Sequence, residues 1–524
     1  MKRASLLWLT AAVWLPCAGA ALADPPSPIP LPATGPSRPA TATPPGANLP
    51  VAPGRRELRL RLLDAIALGR ARNLEIQAGA FDPLIACAAI TAAEGGFDTL
   101  LTASFTAGRA ETLPNSVFTG NVVQSDDVNA QVGASRLLRD GSRLAVLFEA
   151  DRLTSNDALA RRDPRWIDGV AVEWTKPLLR GAGDVVLASV RQARNGSRVA
   201  DQSQKALTDQ VLLRIETAYW NLAYTREQEE SRRRAERVAT ELLDLTKVRF
   251  DAQVATSLDV ADARAGVEAR RGERIVTEGL RGEAEDALRQ LILPFDGSGG
   301  ELPVLIPVDD VRTVPVRDRV DPKDEQRYVD QALRGRPDLL AALADLDNKD
   351  IDVEVASDGM RPQLDLIARL SSNGLDDGLF GALGQTAQGE GFSGSVGLSF
   401  QVYLGRRTAR AQLRIAEWVR GQAAVRQQDL RNRIQAEVRS ALRDLATARA
   451  LGEAARGETE AAREALEGEQ LKERNGASTP FQVLQKEDVV TQAVTREARA
   501  AANVRIAIAR VWKAVGLLSE QRAP

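Results

Sequence analysis

The sequence predicts a mostly α-helical chain with membrane β-strands, built from two similar halves. Long helices pack antiparallel as coiled coils, and four strands per chain close a twelve-stranded barrel only in a trimer. Three observations carry this expectation: an internal repeat, two polar helical runs of some 65 residues each, and short segments in which apolar residues alternate with small polar ones.

Composition sets the bounds. Aromatic residues are 4% and charged residues 27% of the 524, a balance that favours long helices over a large aromatic core. The 69 basic against 71 acidic residues leave a formal charge of -2, which excludes the basic field that nucleic-acid binding needs. Histidine is absent and only 2 cysteines occur, so the usual metal ligands, nucleophile-base pairs and acid-base groups near neutral pH are missing. The carboxylates lie scattered at solvated helix spacings, and the sequence holds no glycine-rich phosphate loop. The expectation is a chain without catalysis, cofactor or metal.

At the N-terminus Lys2 and Arg3 precede an apolar run over 4–15, the helix breaker Pro16, and the small residues Ala21 and Ala23 around Leu22. This is the layout of a cleaved export signal covering 1–23. Cys17 falls in the discarded peptide, which leaves Cys87 alone and without a disulfide partner in its own chain. Residues 24–55 are proline-rich, cannot propagate a helix, and are expected to form an extended arm. No later apolar run reaches the roughly 18 residues of a membrane-spanning helix, so membrane contact is expected from strands or from a surface.

Beyond the arm come two repeats, 56–297 and 322–520, joined by a linker over 298–321. At a spacing of 265, Ala67 matches Ala332, Leu68 matches Leu333 and Asn73 matches Asp338, and further on Leu101 matches Leu366 and Ala103 matches Ala368. In the later helices the spacing becomes 223 and aligns Val211, Ile215, Ala218 and Leu222 with Ile434, Val438, Ala441 and Leu445. Steps of four, three and four residues make one helical stripe, written twice. Each half reads helix, strands, long helix, break, long helix.

The strands rest on alternation. Leu101, Ala103 and Phe105 oppose Thr102, Ser104 and Thr106; Val396, Leu398, Phe400 and Val402 oppose Ser395, Gly397, Ser399 and Gln401. Weaker examples are Val170, Val172 and Trp174, and Leu364, Leu366, Ala368 and Leu370. The apolar members are expected to face lipid, with Trp166 and Trp174 at the membrane interface. Two further strand-like segments, 130–138 and 144–150, are joined by Arg139-Asp140-Gly141-Ser142 and are expected as an extra hairpin at the rim or outside the barrel. The glycine-rich stretch 371–392 suits a mobile loop.

Two helical runs, 183–250 and 405–472, would each be roughly 100 Å long and must lie side by side, because their apolar stripes are narrow. Four strands cannot close a barrel, and open edges in lipid leave backbone groups unsatisfied at several kcal/mol each. Sister copies must complete the ring: three copies give twelve strands, with the helices continuing beneath as a hollow cylinder. Each pair of long helices needs a tight reversal. One is expected at Ala252, Gln253, Val254, Ala255, Thr256 and Ser257, the other at Asn475, Gly476, Ala477, Ser478, Thr479 and Pro480. Gly476 can take a positive φ, Thr256, Ser478 or Thr479 can cap the returning helix, and Pro480 suits its first turn.

Over about 58–518 the sequence resembles the TolC-like outer membrane efflux proteins. The resemblance rests on the duplicated halves, on Glu-Trp-Thr-Lys-Pro-Leu-Leu-Arg-Gly-Ala-Gly at 173–183, on Ala-Tyr-Trp-Asn-Leu-Ala-Tyr-Thr at 218–225, and on the two helix breaks. It implies a homotrimer whose twelve-stranded outer-membrane barrel continues into a periplasmic tunnel. Such a trimer is the passive exit duct of a tripartite efflux pump or a type I secretion system. It also implies a periplasmic adaptor (membrane fusion) protein touching the two tip turns, an inner-membrane transporter as the energy source, and no catalytic residue or cofactor. Asp259 matches a position that helps to hold the tunnel entrance closed. Where some members carry acidic rings at the entrance, this chain has Gln482 and Gln485, so little block by multivalent cations is expected. The alternative reading is an envelope coiled-coil spacer without transport, which has no use for a lipid-facing band.

Overall fold

The computed structural model describes residues 57–112, 123–156, 162–293, 303–313, 320–475 and 477–522. The expected signal peptide, 1–23, and the expected arm, 24–55, lie outside the described residues. The first half runs β1 (Glu57–Leu60), α1 (Leu62–Arg72), α2 (Leu74–Gly79), α3 (Phe81–Glu94), β2 (Leu100–Thr112), β3 (Val123–Leu137), β4 (Arg143–Ser155), β5 (Arg165–Pro177), α4 (Ala188–Asp251) and α5 (Ser257–Ile292). The second runs β6 (Val304–Pro307), α6 (Glu325–Gly335), α7 (Pro337–Asp358), β7 (Gln363–Asp376), α8 (Leu379–Gln388), β8 (Gly391–Gln401), α9 (Arg407–Arg474), α10 (Pro480–Val515) and α11 (Leu518–Gln521). The duplication is visible element by element: α1 answers to α6, β2 to β7, α4 to α9 and α5 to α10.

α4 and α9 hold 64 and 68 residues, so each spans roughly 100 Å, as their sequence periodicity predicts. α4 packs along α5 and α10, and α10 along α9; nearer the sheet, α3 lies on α4, and α7 fills the space between α4 and α9. The helical layer therefore has two open sides. α3 and α5 form one, α9 the other.

The core sits midway along the long helices. Both repeated stripes end there: Val211, Ile215, Leu222, Ile434, Val438 and Leu445 are buried together, closed over by Leu60 and Leu305 of the parallel β1–β6 pair. The segment 218–225 supplies the anchor. Tyr219 and Trp220 are buried and meet edge to face, and the Tyr219 hydroxyl lies 3.0 Å from the Leu60 carbonyl and 2.8 Å from Asp309. Burial, then the Asp309 charge, pushes the Tyr219 pKa up, so the phenol stays protonated and donates. Arg505 stacks over Trp220 at 4.4 Å. Close by, Arg522 pairs with Glu216 at 2.6 Å, both almost fully buried, and so ties the C-terminal end of the fold to α4.

Four sequence expectations are corrected. The described residues form six long strands rather than four, in one antiparallel sheet of order β2-β3-β4-β5-β7-β8. The presumed rim hairpin, β3 and β4, lies inside that sheet, because its apolar alternation is in phase with both neighbours. The stretch 371–392, read as a loop, holds the end of β7 and the helix α8. α8 docks on β5 and β7, with Thr386 hydrogen-bonded to Asp168 at 3.0 Å. Finally, Leu74–Phe97 is long and apolar enough to cross a membrane by composition, with mean hydropathy 1.4. Its alanines together with Ile76, Phe81, Leu84, Ile85 and Ile90 reach that value in a run that Glu75, Gln77, Asp82 and Pro83 interrupt. Here it forms α2 and α3, which lie against α4.

Candidate functional site

Two regions gather the residues singled out by sequence: the sheet at one end of the helices and the two helix reversals at the other.

The sheet has two chemically distinct faces because all six strands alternate in register. Leu101, Ala103 and Phe105 stand opposite Ala134, Val132 and Ala130, which stand opposite Val146, Phe148 and Ala150. Val146 and Phe148 oppose Val172 and Val170, Trp174 opposes Ala368, and Val172 opposes Leu370. Leu364, Leu366 and Ala368 then oppose Phe400, Leu398 and Val396. In the half nearer the helices one face is thus apolar from edge to edge; farther out it carries Asp126, Arg152, Asp168 and Asp376. Of the expected apolar set only Val402 departs, falling one residue past the end of β8. The other face holds most of the polar residues: Thr102, Ser104, Asn129, Gln131, Glu149, Glu173, Arg369 and Ser395 line it beside Leu147, Ile167 and Ile367, with Asn129 donating to Glu149 at 2.9 Å and Ser371 bonded to Ser393 at 2.7 Å. Trp166 and Trp174 both lie on the apolar face, Trp166 beneath the Arg152 guanidinium at 6.0 Å.

Among the described residues the sheet has two free edges. β2 and β8 are each paired on one side only, and every residue of β8 is exposed. Phe105 is 70% and Val396 78% exposed, which places strongly apolar surface at both edges. The helical layer beneath is open on the same two sides. Ile85 of α3 on one side and Ile415 and Trp418 of α9 on the other are exposed large apolar residues.

At the far end the two reversals share one backbone design. α4 closes with Val254 N–H donating to the Arg249 carbonyl at 2.8 Å and Gln253 N–H to Phe250 at 2.9 Å, and Gln253 takes a positive φ of 62°. At the second reversal Ala477 N–H donates to the Lys472 carbonyl at 2.8 Å. Gly476, which aligns with Gln253, lies outside the described residues. Each returning helix opens with a capping box: Thr256 with Asp259, and Thr479 with Gln482. Asp259 and Gln482 are therefore equivalent positions at the spacing of 223. Hydrogen bonds from the Thr256 hydroxyl and backbone hold the Asp259 carboxyl below its ordinary pKa. Gln485 is exposed on the next turn of α10.

Sequence reasoning missed the bonds that tie the reversals together. Arg249 of α4 meets Glu473 of α9 at 2.7 Å, and Arg270 of α5 meets Asp488 of α10 at 2.6 Å. Ser478 donates to Glu469, whose carboxyl is held low by that bond and then by Lys472. The repeat gave no signal for these pairs: at the spacing of 223, Arg249 corresponds to Lys472 and Arg270 to Ala493, so neither partner lies at the related position. Around the turns Val254, Leu258 and Phe481 are exposed, and Leu258 and Phe481 are again equivalent.

The sequence model of the outer membrane efflux protein family matches residues 328–517. No curated protein matches the chain by sequence. Among solved structures, the CmeC outer membrane channel of Campylobacter jejuni superposes with a TM-score of 0.63 at 16% identity, covering 87% of this chain and 86% of that one. The outer membrane protein VceC of Vibrio cholerae gives 0.60 at 15% identity, covering 87% and 96%. The open state of the MtrE outer membrane channel of Neisseria gonorrhoeae gives 0.59 at 17% identity, covering 87% and 89%. Residues 328–517 thus carry an outer membrane efflux protein domain, and nearly the whole chain has the fold of these outer-membrane proteins.

Proposed function

We propose that the chain is an outer-membrane channel-tunnel: a homotrimer that serves as the passive exit duct of a tripartite efflux pump or a type I secretion system. The observation that carries this reading is the two-faced sheet with unpaired edges. An apolar face running across six strands fits a lipid surround, and the polar face opposite fits a wet lumen. Unpaired β2 and β8 are untenable in lipid, where each unsatisfied backbone group costs several kcal/mol, but pairing with sister copies removes both edges at once. The exposed apolar residues of α3 and α9 support the same head-to-tail ring in the helical layer. Leu101, Phe105, Val170, Val172, Leu370, Val396 and Phe400 then face lipid, and the long helices extend into the periplasm after removal of the export signal.

The reversals at the other end are the docking surface for a periplasmic adaptor. Exposed Val254, Leu258 and Phe481 sit there on rigid, capped turns and offer apolar contact to a partner. Asp259, Gln482 and Gln485 line the entrance, and an inner-membrane transporter supplies the energy. The envelope-spacer reading is weaker, since a spacer gains nothing from an apolar face across all six strands.

The test is deletion of the gene in its host, followed by profiling of drug susceptibility and of secreted proteins, with complementation by the intact chain. The expected result is hypersensitivity or a lost secreted protein that complementation restores. No change in either, together with recovery of the protein from the soluble fraction, would favour the spacer.

A further inference from the structure

We propose that the membrane ring of this channel has eighteen strands, six from each of three copies, and a mouth about one and a half times as wide as a twelve-stranded ring. The proposal rests on the trimeric ring proposed above and concerns what that ring is made of. The hairpin of β3 and β4, which has no counterpart in the second half, is the added part.

Four features put the hairpin in the wall. It crosses the full height of the sheet: β3 pairs with β4 from Ser125–Ser155 to Leu137–Arg143, and β4 with β5 from Leu153–Arg165 to Arg143–Thr175. Its turn lies at the helical side, where a Cβ on Gly141, at φ 84°, would meet Gly181 O and Val186. A rim ornament would turn at the opposite end and leave β2 and β5 paired with each other; here β3 and β4 separate them completely. Val132, Val146 and Phe148 continue the apolar face without a gap, while Gln131 and Glu149 continue the polar one. A strand pair packed outside the ring would have no reason to keep both phases.

The edges fit a second copy of the same chain. β2 leaves the helical side after α3 and β8 returns to it before α9, so β8 of one copy meets β2 of the next antiparallel, as an even number of strands requires. Each edge strand alternates in the same way, Val396 and Leu398 against Ser395 on β8 and Leu101 and Phe105 against Thr102 and Ser104 on β2, so the join can keep both faces in phase. Strands about 4.8 Å apart and tilted by about 40° give a backbone diameter of about 36 Å for eighteen, against about 24 Å for twelve.

Electron cryomicroscopy of the full-length protein, extracted from outer membranes into lipid nanodiscs, decides the point by counting strands in the membrane cross-section. The expected result is three copies and eighteen strands in a ring about 36 Å across. A trimer with a twelve-stranded ring and the hairpin lying outside it would overturn this proposal and leave the export reading standing. Particles without any closed ring would overturn both.

Discussion

At the scale of single residues, the repeat shows how one backbone requirement is met with different chemistry. Gln253 occupies a left-handed position where the second half carries Gly476, so the first turn bears strain that glycine avoids. Gln253→Gly is expected to raise stability by about 0.5–1 kcal/mol, read as a later loss of amide protection around 249–256 in denaturant; no change or an earlier loss would refute the strain. The caps differ in charge as well. Asp259 has a depressed folded pKa, so its contribution is fully present above the unfolded value of about 3.9 and is lost as pH falls through the lower folded value. Gln482 carries no charge to lose. Between about pH 5 and pH 2 the first turn of α5 should therefore lose hydrogen-exchange protection relative to the first turn of α10. Parallel behaviour of the two would count against the assignment.

At the scale of elements, the long helices, their reversals and the duplicated order were legible in the sequence, because stripes such as Val211-Ile215-Leu222 recur in phase at a fixed spacing. The hairpin was only half legible. Val128, Ala130, Val132 and Ala134 alternate plainly, but Asp126 interrupts that face, Asp127, Glu149 and Asp151 crowd the other, and with no counterpart in the second half the hairpin looked dispensable. α8 was hidden by Gly378, Gly381 and Gly384, which weaken any helical signal; packing on the sheet overrides that. Its seat depends on Gly374, where a Cβ would come within 2.0 Å of the Ala382 carbonyl oxygen. Gly374→Val should undock α8 and raise hydrogen exchange across 379–388, whereas Gly378→Ala, with open space around its Cβ, should not. Equal exchange in both variants would mean that α8 is held from elsewhere.

The whole molecule is where the sequence was least informative, because a single chain's pattern specifies faces and leaves partners to geometry. Two sides of this chain are open in both layers at once, with β2 and α3 on one and β8 and α9 on the other. A charge placed there should break the ring while sparing the chain. Trp418 is 70% exposed on α9, so Trp418→Arg removes nothing from the core, yet it would put a charge into each of three equivalent contacts. The expected outcome is a shift from trimer to lone chains in detergent, seen as loss of the slowly migrating, heat-sensitive band; an unchanged trimer would show that α9 faces no sister copy. The most direct check on the ring itself is the native mass of the wild-type protein extracted in mild detergent from outer membranes. A particle of three chains that heating separates is the expected result, and a stable single chain released without detergent would contradict it.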